Sequence, residues 1–226
     1  MSPHDTEPLA APMSTARVEA FSDGVFAIAA TLLVLELRMP ELPAEAVARG
    51  ALAAEVVHEW PKLVSYVISF SIVGFFWVGH HLMFHYVRRT DRNFLFLNNV
   101  FLMLVAFMPY PSDLLGRYGG TRLAVTLYGG TLVAIGLVYV GLWRYATGRH
   151  RLVDSELSPR LIRRVSAIIL AAPIVNALAV GVGLIQPRAS LVLFLLVPLS
   201  YIVPGPVNRM MRMREAPARP RARRAG

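Results

Sequence analysis

Six long apolar stretches constrain what this chain can fold into more than any other feature. They run approximately over residues 18–37, 63–86, 94–115, 123–145, 161–185 and 189–207. A bilayer core about 30 Å thick needs roughly 20 mostly apolar residues per helix, and each stretch is of that order or longer. The breaks between them carry proline, glycine or charge: Pro40 and Pro43, the run from Arg88 through Arg92, Gly119-Gly120, Arg149-His150-Arg151, and Gln186-Pro187-Arg188. Such breaks do not sit in lipid, where every backbone polar group must find a partner. The stretches lack the roughly ten-residue alternation of an outer-membrane barrel. The expected fold is therefore all-α and integral to the membrane, with six transmembrane helices.

Composition agrees with this reading. The chain of 226 residues is 55% hydrophobic and 16% charged, with a mean hydropathy of +0.51. A soluble domain carries about 25% charged residues. Cysteine is absent, which removes thiol chemistry and cysteine-ligated metal. The net charge of +9 follows from membrane topology rather than from a nucleic-acid partner. Arg17, the arginines between the second and third and the fourth and fifth stretches, and those of the tail total 17 basic residues on one side. The other side holds six: Arg38, Arg49, Lys62, Arg117, Arg122 and Arg188. By the positive-inside rule both termini are cytoplasmic.

Three segments follow: a cytoplasmic N-terminal stretch at 1–16, a membrane domain at 17–208, and a basic tail at 209–226 with too little apolar content to pack. The N-terminal stretch has no basic, apolar and small-residue succession of a cleaved signal peptide. The expected partner of the tail is the anionic inner leaflet, not nucleic acid, because aromatic interleaving is missing. With 22 arginines to one lysine, the composition suggests a GC-rich genome and a prokaryotic plasma membrane.

The first stretch carries the identity. It contains Arg17, Phe21-Ser22-Asp23, Gly24, Ile28, Thr31, Leu32 and Leu35. Asp23 lies about one and a half turns inside the helix, where a carboxylate is costly in lipid and requires protein or water beside it. Simple capping of the helix end by Arg17, Ser22 and Asp23 is the alternative. Gly24, Ile28, Leu32 (beside Thr31) and Leu35 recur at helical spacing and form one stripe, from which Leu33 is rotated away. The stripe bears no charge, and no Thr-Val-Gly-Tyr-Gly filter loop occurs in the sequence.

The succession Arg17, Phe21-Ser22-Asp23, Gly-Val-Phe-Ala-Ile28 and Thr31-Leu-Leu resembles the signature of the transmembrane protein 175 family. Ser69-Phe70, Trp77-Val-Gly-His80-His81, Phe84, Asn98 and Pro109-Tyr-Pro111 extend the match through the first half of the chain. The resemblance implies a potassium-permeable channel whose first helices line a central pore. This single six-helix unit would then assemble as a homotetramer. It also implies that Ile28, Leu32 and Leu35 form the constriction, with Gly24 and Thr31 lining the pore. Arg17, Phe21, Ser22, Asp23, Trp77, His80 and Asn98 would tie helices together behind it. Rings of isoleucine and leucine would gate by dewetting and favour the more weakly hydrated potassium ion over sodium. No cofactor is expected beyond the permeant potassium ion.

Other chemistry is weaker. His81 and His85 stand one helical turn apart, a spacing that zinc can use, but further ligands are not evident. Phosphate-cradling glycine loops, zinc-protease motifs and serine elbows are missing, so an enzyme is not expected. A secondary transporter is the main alternative, with a structural membrane protein third. Transporters usually show repeated halves with broken helices, and the segments around Pro173 and Pro198 do not resemble each other.

Overall fold

The computed structural model describes residues 15–38 and 41–202, with side chains as far as residue 196. The expectations for residues 1–16 and 209–226 fall almost wholly outside the described residues. The described chain forms helices α1 (Thr15–Leu32), α2 (Ala44–Ala48), α3 (Ala51–His58), α4 (Trp60–Tyr86), α5 (Arg92–Phe107), α6 (Pro109–Tyr118), α7 (Arg122–Thr147), α8 (Pro159–Ile185) and α9 (Pro187–Ile202). Short 3₁₀ turns extend α1 over Leu33–Glu36 and α7 over Gly148–His150.

Among the described residues, five helical stretches are long and apolar enough to cross a membrane: Thr15–Glu36, Trp60–Tyr86, Arg92–Tyr118, Arg122–His150 and Pro159–Ile185. The chain is therefore a multi-pass, all-α membrane protein. The sixth expected span corresponds to α9, whose described apolar part, Pro187–Leu196, is shorter. The third span is a single expectation from the sequence but two helices in the structure. The break falls at Met108, because Pro109 and Pro111 follow it and a proline has no N–H to continue the ladder. The connection between the first two spans folds into α2 and α3, with Gly50 between them at φ +81°, a conformation that glycine adopts without steric cost.

Proline opens several of these helices, at Pro61, Pro109 and Pro159, where a missing N–H costs nothing. Asp91 caps α5 by accepting from Phe94 N at 2.8 Å, and Thr121 caps α7 by accepting from Ala124 N. Helix α7 is the hub. It packs against α5, α6, α8 and α9, while α1 packs on α4 and α5.

Lipid tails are as apolar as leucine, so association between spans rests on close packing and polar bonds. The α7–α8 contact shows the first. A Cβ on Gly129 would stand 2.3 Å from Val180 Cγ2, and one on Gly136 would stand 3.0 Å from the Pro173 ring. Pro173 thus seats its ring against a glycine of the neighbouring helix.

The two basic loops are stapled to each other. Val87 and Val153 form an antiparallel bridge, Arg88 N donates to Leu152 O at 2.8 Å, and Arg89 Nε donates to Arg151 O at 2.8 Å. Tyr145 Oη donates to Asp91 Oδ2 and accepts from Arg151 Nη1. These contacts put the ends of α4 and α7 and the starts of α5 and α8 at one end of the molecule.

Candidate functional site

Helix α1 has two faces of opposite character. Val18, Ser22, Phe26, Ala29 and Leu33, spaced by three or four residues, are buried against the rest of the subunit. Gly24, Ile28, Thr31, Leu32 and Leu35 are exposed, Ile28 by 61% and Leu35 by 54%. A Cβ on Gly24 would meet nothing within 4 Å. The 3₁₀ turn sharpens the alignment, because side chains three residues apart eclipse in that geometry and Leu35 then follows Leu32 along the same line. Thr31 Oγ1 donates to backbone carbonyls of Ala27 and Ile28. Leu33, rotated off the stripe, is 1% exposed.

Behind this face a buried chain of hydrogen bonds joins three helices. Ser22 Oγ donates to Val18 O at 2.8 Å, so its lone pairs are free to accept from Asn98 Nδ2 at 3.2 Å. That orients the Asn98 amide and leaves Oδ1 facing His80 Nε2 at 2.9 Å. His80 must then carry its proton on Nε2 and donate it. The imidazole is 1% exposed and lies in an aromatic cage, stacked on Phe101 at 5.5 Å, with Phe84 at 4.6 Å and Phe26 at 5.6 Å. Ser22, His80 and Asn98 are thus brought together as one unit between α1, α4 and α5.

Asp23 belongs to a different contact. Its Oδ1 accepts from Trp77 Nε1 at 2.8 Å, and Trp77 stacks on His81 at 6.2 Å. The carboxylate that needs protein or water beside it thus has a protein partner, but on the subunit surface: Asp23 and Trp77 are both exposed, because the backbone turns Asp23 one residue past the buried face that Ser22 occupies. Nor do Ser22 and Asp23 cap the helix, since Ser22 bonds back to its own turn and Asp23 reaches across to α4. Arg17 and Phe21 are exposed, and Arg17 pairs with no acid among the described residues. Histidines 81 and 85 do not gather a third ligand: no group of three or more His, Cys, Asp and Glu capable of holding a metal occurs among the described residues.

Two features of the half away from the stapled loops were missed by sequence reasoning. Ser65 Oγ donates to Ser112 O at 2.7 Å, Ser112 Oγ donates to Ser69 Oγ at 2.8 Å, and Ser69 Oγ lies 3.0 Å from Tyr128 Oη. This hydroxyl ladder joins α4, α6 and α7. The one hint was Ser65 and Ser69 at i, i+4 in an apolar stretch; their partners lie 43 or more residues away. Second, Glu36 at the end of α1 shares a small cleft with Lys62, Ser112 and Asp113. Asp113 is itself paired to Arg117 at 2.6 Å.

Residues 17–109 match the family described as the endosomal/lysosomal potassium channel TMEM175. A potassium channel of Streptomyces collinus is 35% identical over 189 residues, which is 82% of this chain and 90% of that protein. One of Chamaesiphon minutus is 42% identical over 145 residues, 63% of this chain and 70% of that protein. The crystal structure of a lysosomal potassium-selective channel TMEM175 homolog from Chamaesiphon minutus superposes with a TM-score of 0.73 at 33% identity. That superposition covers 84% of this chain and 96% of the other.

Proposed function

We propose, since this chain belongs to the TMEM175 family, that it is a potassium channel: it passes potassium ions passively across a membrane and is neither an enzyme nor an ion-coupled transporter. The finer reading is a homotetramer of six-span subunits with both termini cytoplasmic, resident in a prokaryotic plasma membrane. Its first helices surround the pore, Ile28, Leu32 and Leu35 form the constriction, and Gly24 and Thr31 line it beside them. The basic tail rests on anionic lipid.

One observation carries the placement of α1. Asp23 lies about 12 Å into the helix from Thr15 and is exposed on the subunit surface. A charged side chain within the bilayer is costly and turns to protein or water, and Thr31 and Gly24 share the exposed side. This side therefore faces other subunits or water rather than acyl chains. A single strip cannot enclose a path, so several copies contribute to it.

Reconstitution in liposomes with an outward potassium gradient and no other driving ion tests the function. Passive electrogenic efflux, clamped by the potassium Nernst potential, is expected. Saturable uptake that requires a counter-ion would instead make the protein a transporter.

A further inference from the structure

We propose that the exposed face of α8 binds a phospholipid with an anionic headgroup, its phosphate held by Arg160, Arg163 and Arg164. The inference rests on the reading of the chain as a membrane channel, and it adds a ligand to a helix that the pore does not use.

The face has the layout of an amphiphile. Arg160 and Arg164 lie one turn apart, and Ala167, Ala171, Ile174 and Leu178 continue the same side at spacings of three and four. All of these residues are exposed. Charge thus sits at one end and unbroken apolar surface follows, with Ile174 50% and Leu178 64% exposed.

The arginines lack a counter-charge. None of the three makes a hydrogen bond or ion pair among the described residues, and both ion pairs found there, Glu59–Lys62 and Asp113–Arg117, lie at the opposite end. The stapled loops and adjoining helix ends bring six more arginines to the same region. The nearby acids are Asp91, Asp154 and Glu156. Asp91 is occupied by Phe94 N and Tyr145, Asp154 accepts from Glu156 N, and the exposed Glu156 makes no ion pair with a described arginine. The first turn of α8 holds no acidic residue, so its arginines oppose the helix dipole instead of complementing it. A phosphate at this level relieves both conflicts.

The occupant is a lipid rather than a second copy of the chain. Helix α8 packs on α7 and α9, whereas α1 packs on α4 and α5; with α1 at the centre of the assembly, α8 lies at its rim. A second copy would bring the same uncompensated arginines against these. A soluble phosphate would satisfy the charge and leave the apolar stripe unused.

The test uses the full-length protein purified in a neutral detergent and titrated with phosphatidylglycerol, phosphatidylcholine or inorganic phosphate. Retained lipid is counted by native mass spectrometry and thermal stability is followed in parallel. Wild type should retain phosphatidylglycerol selectively. The triple variant R160Q/R163Q/R164Q should lose about a hundred-fold in apparent affinity, from roughly five-fold per arginine. The lysine triple R160K/R163K/R164K should keep most of the binding, and Arg188→Gln, at the other end, should keep all of it. Raising salt should weaken wild-type binding without any mutation. Equal retention of phosphatidylcholine, or unchanged phosphatidylglycerol binding in the glutamine triple, overturns the proposal. So does an equal response to inorganic phosphate. Potassium flux measured in the same lipids separates the readings: selective lipid retention without flux removes the channel and leaves the lipid site standing.

Discussion

Ile28 and Leu33 differ by five positions on one helix, yet a polar substitution at each asks a different question. Ile28 is 61% exposed and Leu33 1%, so Leu33→Asn reports on folding, whereas Ile28→Asn reports on whatever the exposed face meets. In the proposed tetramer, four asparagines in a ring would hold water and coordinate a cation, which lowers a dewetting barrier. Ile28→Asn should therefore give larger currents with weaker preference for potassium over sodium. Phe96→Asn, at a site of similar exposure on α5, should leave both unchanged. Reversal potentials under bi-ionic conditions at matched expression decide this, and an altered selectivity for Phe96→Asn alone would mean the wrong face was assigned. Asn98 offers a second test at this scale. Asn98→Leu fills the same space but strands the Nε2–H of His80 and the lone pair of Ser22. Interhelical bonds of this kind contribute about 1–2 kcal/mol, and an orphaned donor adds to that loss. A fall in thermal stability of that size is expected, with ion preference intact in the channels that remain. The sequence made the residues of this cluster legible as a group, but it could not pair them. Ser22 and Asp23 are adjacent, and which of the two turns inward depends on the rotation of α1, which the neighbouring helices set.

Between elements, glycine separates contacts within the subunit from contacts outside it. Gly129→Ala places a Cβ 2.3 Å from Val180 Cγ2 and 2.8 Å from Phe194 Cζ. Overpacking of this kind costs about 1–3 kcal/mol, and α8 would have to move off α7. Reduced thermal stability and lower yield of assembled protein are expected. Gly24→Ala meets nothing within 4 Å in its own subunit, so subunit stability should not change. Any effect on conductance or assembly then comes from the surface that the exposed face meets. If Gly24→Ala lowers the stability of the dissociated subunit as much as Gly129→Ala does, the two-faced description of α1 fails. Helix boundaries were mostly readable from proline and charge, as at Asp91 and Pro187. Pro109 and Pro111 mark an end to the third span, but the sequence does not show that a second helix, α6, resumes directly past Met108, because the apolar run continues through it. The hydroxyl ladder from Ser65 to Tyr128 escaped for a different reason: serine in an apolar helix looks alike whether it bonds to its own turn or to another span.

For the whole molecule, assembly provides the decisive measurement. Mass determination of the protein in lipid nanodiscs should give four copies, and a conducting monomer would refute the shared pore. Trp77→Phe keeps an aromatic ring beside α1 but removes the donor to Asp23, leaving an exposed carboxylate without its partner in the membrane. The population of assembled channels should fall, and the surviving channels should keep wild-type selectivity. An inverted selectivity would instead put Asp23 in the ion path. By itself the sequence determined that this chain crosses a membrane several times as helices, because length and hydropathy along the chain decide whether lipid will accept a segment. It also determined the channel family, since the order of Arg17, Phe21-Ser22-Asp23, Trp77 and His80 is a linear signal. Only the tertiary structure decided which side of α1 is buried and that Asp23 bonds Trp77 while His80 bonds Asn98. It alone stapled the two basic loops end to end and left the arginines of α8 without an acid. These outcomes depend on helix rotation and on contacts between residues far apart in the chain. One span's pattern records how apolar each side chain is, not which neighbour it will face.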